Sequence, residues 1–299
     1  SICYPHTSLA VTASTFVYQT LPLVTPTLAA TMTQTANVPP SFGPSLFSDG
    51  YYGSSVAACY AGGATSGLFD LLVGAPTDNQ GGGHEGAVFA VTLHASNLTM
   101  QTFVKWAAGL NMPFSPAAGD RFGAAVACGW DFDGDGVRDA LVTAPNRVMG
   151  PARGVVYVLG VSTAATVATV TFIARNVGVG FDYGTEGFGE SVSLARVSAP
   201  EWEVLVGCST GTRVWLVQFN GPTAAAVTAS EASNATWPGW VWPPTAVGKA
   251  VLVVGDVDGD GVSDIAVSAP AESAPANAGE VYIFLRTAAG AIGTTRPRS

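Results

Sequence analysis

The chain has 299 residues, 48% of them apolar and only 11% charged, with a formal net charge of −9. That length supports one large domain or two ordinary ones, and the composition excludes disorder and coiled coil. The acidic balance, with no Lys/Arg cluster to offset it locally, excludes a nucleic-acid partner, because phosphate binding needs a basic surface.

Glycine (36) and proline (19) are abundant, and Lys105 and Lys249 are the only lysines. Such a composition predicts many short strands joined by tight turns, with no long helices. No apolar run is long enough to span a bilayer directly. Ser1-Ile2-Cys3 shows no basic region leading into an apolar one, so a signal peptide is not visible. Either it has been removed or the chain is cut from a longer precursor.

Residues 1–48 hold two strand candidates, Ser8–Tyr18 and Thr27–Thr35, and read as a partial closing unit. The Thr/Pro-rich stretch Thr20–Pro40 reads as an extended segment or an outer strand with its linkers.

From residue 49 a unit recurs four times, led by Tyr52-Gly53, Phe122-Gly123, Phe188-Gly189 and Val247-Gly248, at spacings of 70, 66 and 59 residues. The units run at about 49–118, 119–184, 185–243 and 244–285, followed by a strand or tail at 286–299. In each, a short apolar run such as Ala124–Cys128 or Ala250–Val254 precedes a loop. A second run starts at Asp70, Asp139 or Asp264 and ends in a turn at Gly74-Ala75-Pro76, Thr143-Ala144-Pro145 or Ser268-Ala269-Pro270. A glycine (Gly86, Gly154, Gly279) then opens a third run.

These runs are four to seven residues long, rich in β-branched and aromatic residues, and bounded by Gly, Pro and Asp; this is strand patterning. Proline cannot donate to a sheet ladder, so it marks a strand end. Three clear strands and a weaker fourth per ~60-residue unit predict an all-β chain of four-stranded antiparallel blades, a β-propeller. One blade cannot bury both faces alone, so the units must stack around an axis. The two ends are read as strands that close the ring as a fifth blade. A fragment, or a ring completed by a partner, is the alternative.

The motif resembles the FG-GAP repeat of integrin α-subunit heads, best at Phe122-Gly123…Thr143-Ala144-Pro145 and Tyr52-Gly53…Gly74-Ala75-Pro76. The resemblance covers roughly residues 45–285. The third repeat departs from it, with Gly207-Cys208-Ser209 in place of the turn. It implies an extracellular adhesion or assembly role, with one propeller face binding a protein.

Two acidic loops follow one formula. Asp131, Asp133, Asp135 and Asp139 stand at positions 1, 3, 5 and 9 of one, and Asp256, Asp258, Asp260 and Asp264 at those of the other. Glycine fills positions 4 and 6 in both. Calcium takes six to eight oxygens, and alternate positions of a tight loop bring carboxylates to one centre. Position 7, Val137 or Val262, would add its backbone carbonyl, and the ninth-position Asp is expected to close the shell. Magnesium prefers fewer carboxylates and more waters. The expectation is two calcium sites, since repeats one and three keep only Asp70 and Glu203 at the ninth position. A solvated acidic turn is the metal-free alternative, opposed by repulsion among four carboxylates.

Sequons at Asn97-Leu98-Thr99 and Asn234-Ala235-Thr236 point to a glycoprotein, secreted or at the cell surface. Cys3, Cys59, Cys128 and Cys208 form no CxxC pair, so a zinc site is not expected. Two disulfides and buried thiols at Cys128 and Cys208 remain open readings. Trp237, Trp240 and Trp242 form the densest aromatic cluster, either a ligand-contact surface or rings packed between blades.

No catalytic residue is assigned. Gly207-Cys208-Ser209-Thr210-Gly211 matches the GxSxG elbow, but a strand-like run follows and no histidine lies downstream. His6, His84 and His94 sit in no metal-binding spacing and read as solvated loop residues. The reading is thus a non-enzymatic calcium-binding propeller in adhesion or an extracellular assembly. A glycan-binding lectin and an accessory domain of a secreted hydrolase are the alternatives.

Overall fold

The structure is a computed structural model. It describes residues 15–19, 27–32, 38–46, 49–59, 70–94, 97–149, 152–173, 188–198, 201–208, 213–220, 225–232, 247–270, 279–287 and 292–298. Strands dominate it; the only helical element among the described residues is a 3-10 turn at Gly43–Ser45.

Four antiparallel sheets of four strands follow one another in chain order. Blade 1 holds β3 (Ser55–Ala58), β4 (Leu71–Ala75), β5 (Ala87–Leu93) and β6 (Met100–Trp106). Blade 2 holds β7 (Val126–Trp130), β8 (Asp139–Met149), β9 (Ala152–Val161) and β10 (Val167–Ile173). Blade 3 holds β11 (Ser191–Ser198), β12 (Glu201–Cys208), β13 (Arg213–Asn220) and β14 (Ala225–Ala232). Blade 4 holds β15 (Val251–Gly255), β16 (Asp264–Ala269), β17 (Glu280–Arg286) and β18 (Ile292–Arg298).

The first strand of each blade lies against the first strand of the next, β3 by β7, β7 by β11 and β11 by β15. Face-to-face stacking with the first strands innermost is a β-propeller.

The termini depart from the expected fifth blade. β1 (Thr15–Gln19) and β2 (Thr27–Met32) pair with each other as a separate two-stranded sheet. β18 instead pairs with β17 as the fourth strand of blade 4, so that unit extends past residue 285. The reason is local. β18 follows β17 after a short connection, and hairpin closure costs less chain entropy than pairing with a segment some 270 residues away.

The recurring motif has a physical function at each blade seam. The backbone N–H of Gly53, Gly123, Gly189 and Gly248 donates to the carbonyl of Gly74, Thr143, Gly207 and Ser268, at 2.9 to 3.2 Å. All four glycines have φ between +87° and +95°, a region side chains disfavour. Between blades the approach is closer still. A Cβ on Gly74 would stand 2.0 Å from the carbonyl oxygen of Gly123, and one on Gly86 2.2 Å from that of Phe122.

The degenerate third repeat keeps this geometry. A Cβ on Gly207 would stand 2.1 Å from the Gly248 oxygen. Ser55 and Ser191, one strand inward from Gly74 and Gly207, donate their hydroxyls to the carbonyls of Gly123 and Gly248. In blades 2 and 4 the hydroxyl moves to the second strand, where Thr143 and Ser268 accept from the N–H of Ala125 and Ala250.

Apolar clusters fill the seams. Leu72, Val88, Ala90 and Trp106 of blade 1 meet Phe122, Val142, Tyr157 and Leu159 of blade 2. The buried Trp106 also donates its Nε1–H to the Ala165 carbonyl across that seam, at 2.7 Å. Blade 2 meets blade 3 through Leu141, Val156 and Val158 against Trp202, Val204 and Trp215. Blade 3 meets blade 4 through Leu205, Val214 and Leu216 against Val251, Ile265 and Tyr282. On the far side of blade 1 the segment before it supplies the cover. The fully buried Phe42 packs edge-on to Tyr52, Phe89 and Phe103. Phe114 does the same for Phe122 and stacks on Tyr157 in blade 2.

Candidate metal centres

Antiparallel strands alternate their turns between two ends of a sheet. The loops from first to second strand therefore emerge at one end of the propeller, and those from second to third strand at the other. Both acidic loops, Asp131–Asp139 and Asp256–Asp264, are of the first kind.

Each loop is wound by its own carboxylates. Asp131 Oδ1 accepts from the N–H groups of Gly134 and Asp135, and its Oδ2 from Gly136, at 2.6 to 3.1 Å. Asp256 does the same for Gly259, Asp260 and Gly261 at 2.7 to 3.0 Å. Asp135 and Asp260 accept from Val137 and Val262 two residues on. These are Asx turns that tighten the loop. Gly134, Gly136, Gly259 and Gly261 all have φ between +80° and +88° with open space where a Cβ would stand. Backbone conformation, not crowding, requires glycine there.

Oxygens of Asp131, Asp133 and Asp139 converge within 4.8 Å of one another, as do those of Asp256, Asp258 and Asp260. Two oxygens each about 2.3–2.6 Å from one calcium lie at most about 5.2 Å apart, so both trios match such a centre. Asp133 is held above the ordinary carboxylate range by burial, and next by repulsion from Asp135 and Asp131. Desolvation, then Asp260, Asp264 and Asp256, raise Asp258 likewise. A cation relieves both. All-carboxylate oxygen donors are the chemistry of a hard divalent ion.

The ninth-position aspartates have a second occupation that sequence reasoning did not anticipate. Asp139 is fully buried, its Oδ2 accepting from Phe132 and its Oδ1 from Val161 at the end of β9. Burial pushes it up to about 7, against the pull of these donors. Asp264 accepts from Val257 and from Arg286 at the end of β17, and stays outside its loop's trio. Asp70, in blade 1, accepts from Leu93 at the end of β5. All three cap the last N–H of the third strand. This explains why Asp70 persists where the rest of the loop has lost its carboxylates. Asp139 thus combines the capping contacts with a place in its loop's trio, whereas Asp264 makes the same contacts outside its own. Asp135 also falls outside its trio.

Elsewhere, Cys59, the residue after β3 of blade 1, forms a disulfide with Cys128 in β7 of blade 2. Cys208 is buried in β12, and Cys3 lies outside the described residues. A signal for the pairing existed: the two cysteines follow their repeat's leading glycine by six and five residues. Asn97 is exposed, with its Oδ1 accepting from both the N–H and the hydroxyl of Thr99. Asn234, Trp237, Trp240 and Trp242 lie outside the described residues. At the GxSxG match, the next described element after β12 is its antiparallel neighbour β13.

Comparison with known proteins agrees with the repeat. A family model of the FG-GAP repeat matches residues 122–159 and 250–284, the two units that carry the acidic loops. The chain is 34% identical over 143 residues to integrin alpha-4 of Xenopus laevis, a match spanning 48% of this chain and 13% of that protein. A solved structure described as the Dos1 propeller aligns over 78% of this chain and 44% of its own, at 9% identity and a TM-score of 0.43.

Proposed function

Starting from a propeller that carries FG-GAP repeats, we propose a non-enzymatic, calcium-binding interaction module of the cell surface or extracellular space, acting in adhesion or in a larger assembly. The convergence of two carboxylate trios at one end of the disc carries this reading. When bound, calcium supplies the positive charge that lets three carboxylates share a centre. Asp131, Asp133 and Asp139 would hold one ion and Asp256, Asp258 and Asp260 the other, with Val137 and Val262 offering carbonyls.

The opposite end is left for partners. There the β8–β9 hairpin continues to the pairs Val148↔Arg153 and Met149↔Ala152, and Val148 is 61% exposed. Tyr51, just ahead of Tyr52-Gly53, is 68% exposed at φ +51°, a conformation a bulky side chain takes only when its surroundings impose it. An exposed aromatic and a projecting hairpin on a rigid disc suit a protein partner. Similarity to integrin alpha-4 supports the surface location, and N-glycosylation at Asn97 and Asn234 follows from it.

The test is adhesion of cells to surfaces coated with the chain, with calcium and with chelator. Calcium-dependent attachment above an albumin-coated control is expected. Attachment equal to albumin in both conditions would refute an adhesive role.

A further inference from the structure

The two acidic loops share one formula, yet the fold seats them differently, and we infer that they are unequal sites: Asp131–Asp139 is a tight, structural calcium site and Asp256–Asp264 a weaker, exchangeable one. This ranking rests on the calcium reading above and adds to it.

Four differences point the same way. The second loop residue is Phe132 in the first loop, 6% exposed and edge-on to Trp202 of blade 3 at 5.3 Å; its counterpart Val257 is 59% exposed. The seventh residue is Val137 in the first loop, 6% exposed and packed in the blade 1–2 cluster; its counterpart Val262 is only partly buried. The first loop is thus anchored to the blades on both sides of it.

The strand entering the first loop is also covalently tied. Cys128, opposite Ala140 on the neighbouring strand, is bonded to Cys59 of blade 1. The corresponding residue ahead of the second loop is Val253, opposite Ile265.

Finally, the third strand shapes the ligand cluster. A Cβ on Gly160 would stand 2.0 Å from Thr169 Oγ1 on the neighbouring strand and 2.9 Å from Asp133 Oδ2, so its absence leaves room for both side chains. Asp133 leans in there and converges with the buried Asp139. In blade 4 the equivalent position, one before the strand's last residue, is Leu285. The second trio gathers farther out, on three exposed aspartates without Asp264.

Ligand ordering is a cost of binding, on the order of 0.5–1.5 kcal/mol per immobilised side chain, and a preorganised loop has met it during folding. Restricting the entry strand by a disulfide acts in the same direction. Two anchored side chains and a tied strand correspond to a difference on the order of tenfold in affinity.

Calcium titration by calorimetry on the whole chain tests this, with Asp131→Asn/Asp133→Asn to silence the first loop and Asp256→Asn/Asp258→Asn to silence the second. Two classes of site are expected, the tighter one lost only with the first pair. Cys59→Ser/Cys128→Ser should weaken the tight class several-fold and leave the weak class in place. Phe132→Val, checked for folding by circular dichroism, gives the same readout should the disulfide variant not fold. Equal affinities, or a disulfide variant that shifts both classes alike, would overturn the ranking. Heat from neither loop would overturn the calcium reading itself and the ranking with it.

Discussion

Glu203 and Arg286 form a bidentate ion pair across the seam between blades 3 and 4, Nη1 to Oε2 at 2.7 Å and Nη2 to Oε1 at 2.8 Å, both side chains buried. Glu203 stands where the other repeats carry the capping aspartate, and Gln218 donates to its Oε1. Arg286 also donates from Nη1 to the Ser263 carbonyl in the second acidic loop. The blade that lost its loop therefore uses the retained carboxylate to hold its neighbour.

Removing one partner leaves an uncompensated buried charge. Arg286→Met should destabilise the chain by about 3–5 kcal/mol, read by denaturant unfolding. Combining it with Glu203→Gln should recover part of the loss, since the pair itself adds little net stability. A single variant within about 0.5 kcal/mol of the parent would show that solvent reaches the pair.

On the calcium reading proposed above, the ion binds the folded form and stabilises it by mass action. At 100-fold excess over its dissociation constant each site adds about 2.7 kcal/mol, so chelator should lower the melting temperature. Asp133→Asn with Asp258→Asn should abolish that difference. Identical melting curves of the parent protein with and without chelator would end the stabilising role.

Two glycine substitutions separate conformation from crowding. Gly134→Ala has open space and pays only the left-handed backbone term, about 1–2 kcal/mol. Gly154→Ala has φ +99° and would place its Cβ 2.2 Å from the Phe188 carbonyl oxygen, so it must also push blade 3 from blade 2. Its loss should be larger by several kcal/mol, enough to threaten folding. Equal losses would mean that the seam yields freely.

Trp106 combines burial with a hydrogen bond across the first seam. Trp106→Phe should cost about 1–3 kcal/mol, chiefly by orphaning the Ala165 carbonyl, and Trp106→Ala about 3–5 kcal/mol through the cavity it leaves. Thermal unfolding measures both. A Phe variant as destabilised as Ala would place the contribution in the bond alone.

Strand type, repeat order and the acidic loops were legible because each is local. Alternating β-branched residues, a proline at a strand end and aspartates at alternate positions carry their meaning within about ten residues. The blade count at the ends was not, since whether residues 292–298 pair with β17 or with the N-terminus depends on competing partners. Nor was the capping role of the ninth aspartate, whose partner lies 22 residues on, at the end of the third strand.

By itself the sequence determined that this chain builds β-blades in series and winds two acidic turns with glycine at fixed places, because backbone sterics and hydrogen bonding act over short spans. Only the tertiary structure decided which residues meet across a seam. Cys59 finds Cys128, Phe132 finds Trp202 and Glu203 finds Arg286 because stacking the blades brings equivalent positions of successive repeats together. Two loops of the same formula acquire different surroundings for the same reason: Phe132 of the first meets Trp202 of the next blade, while its counterpart Val257 in the second is exposed.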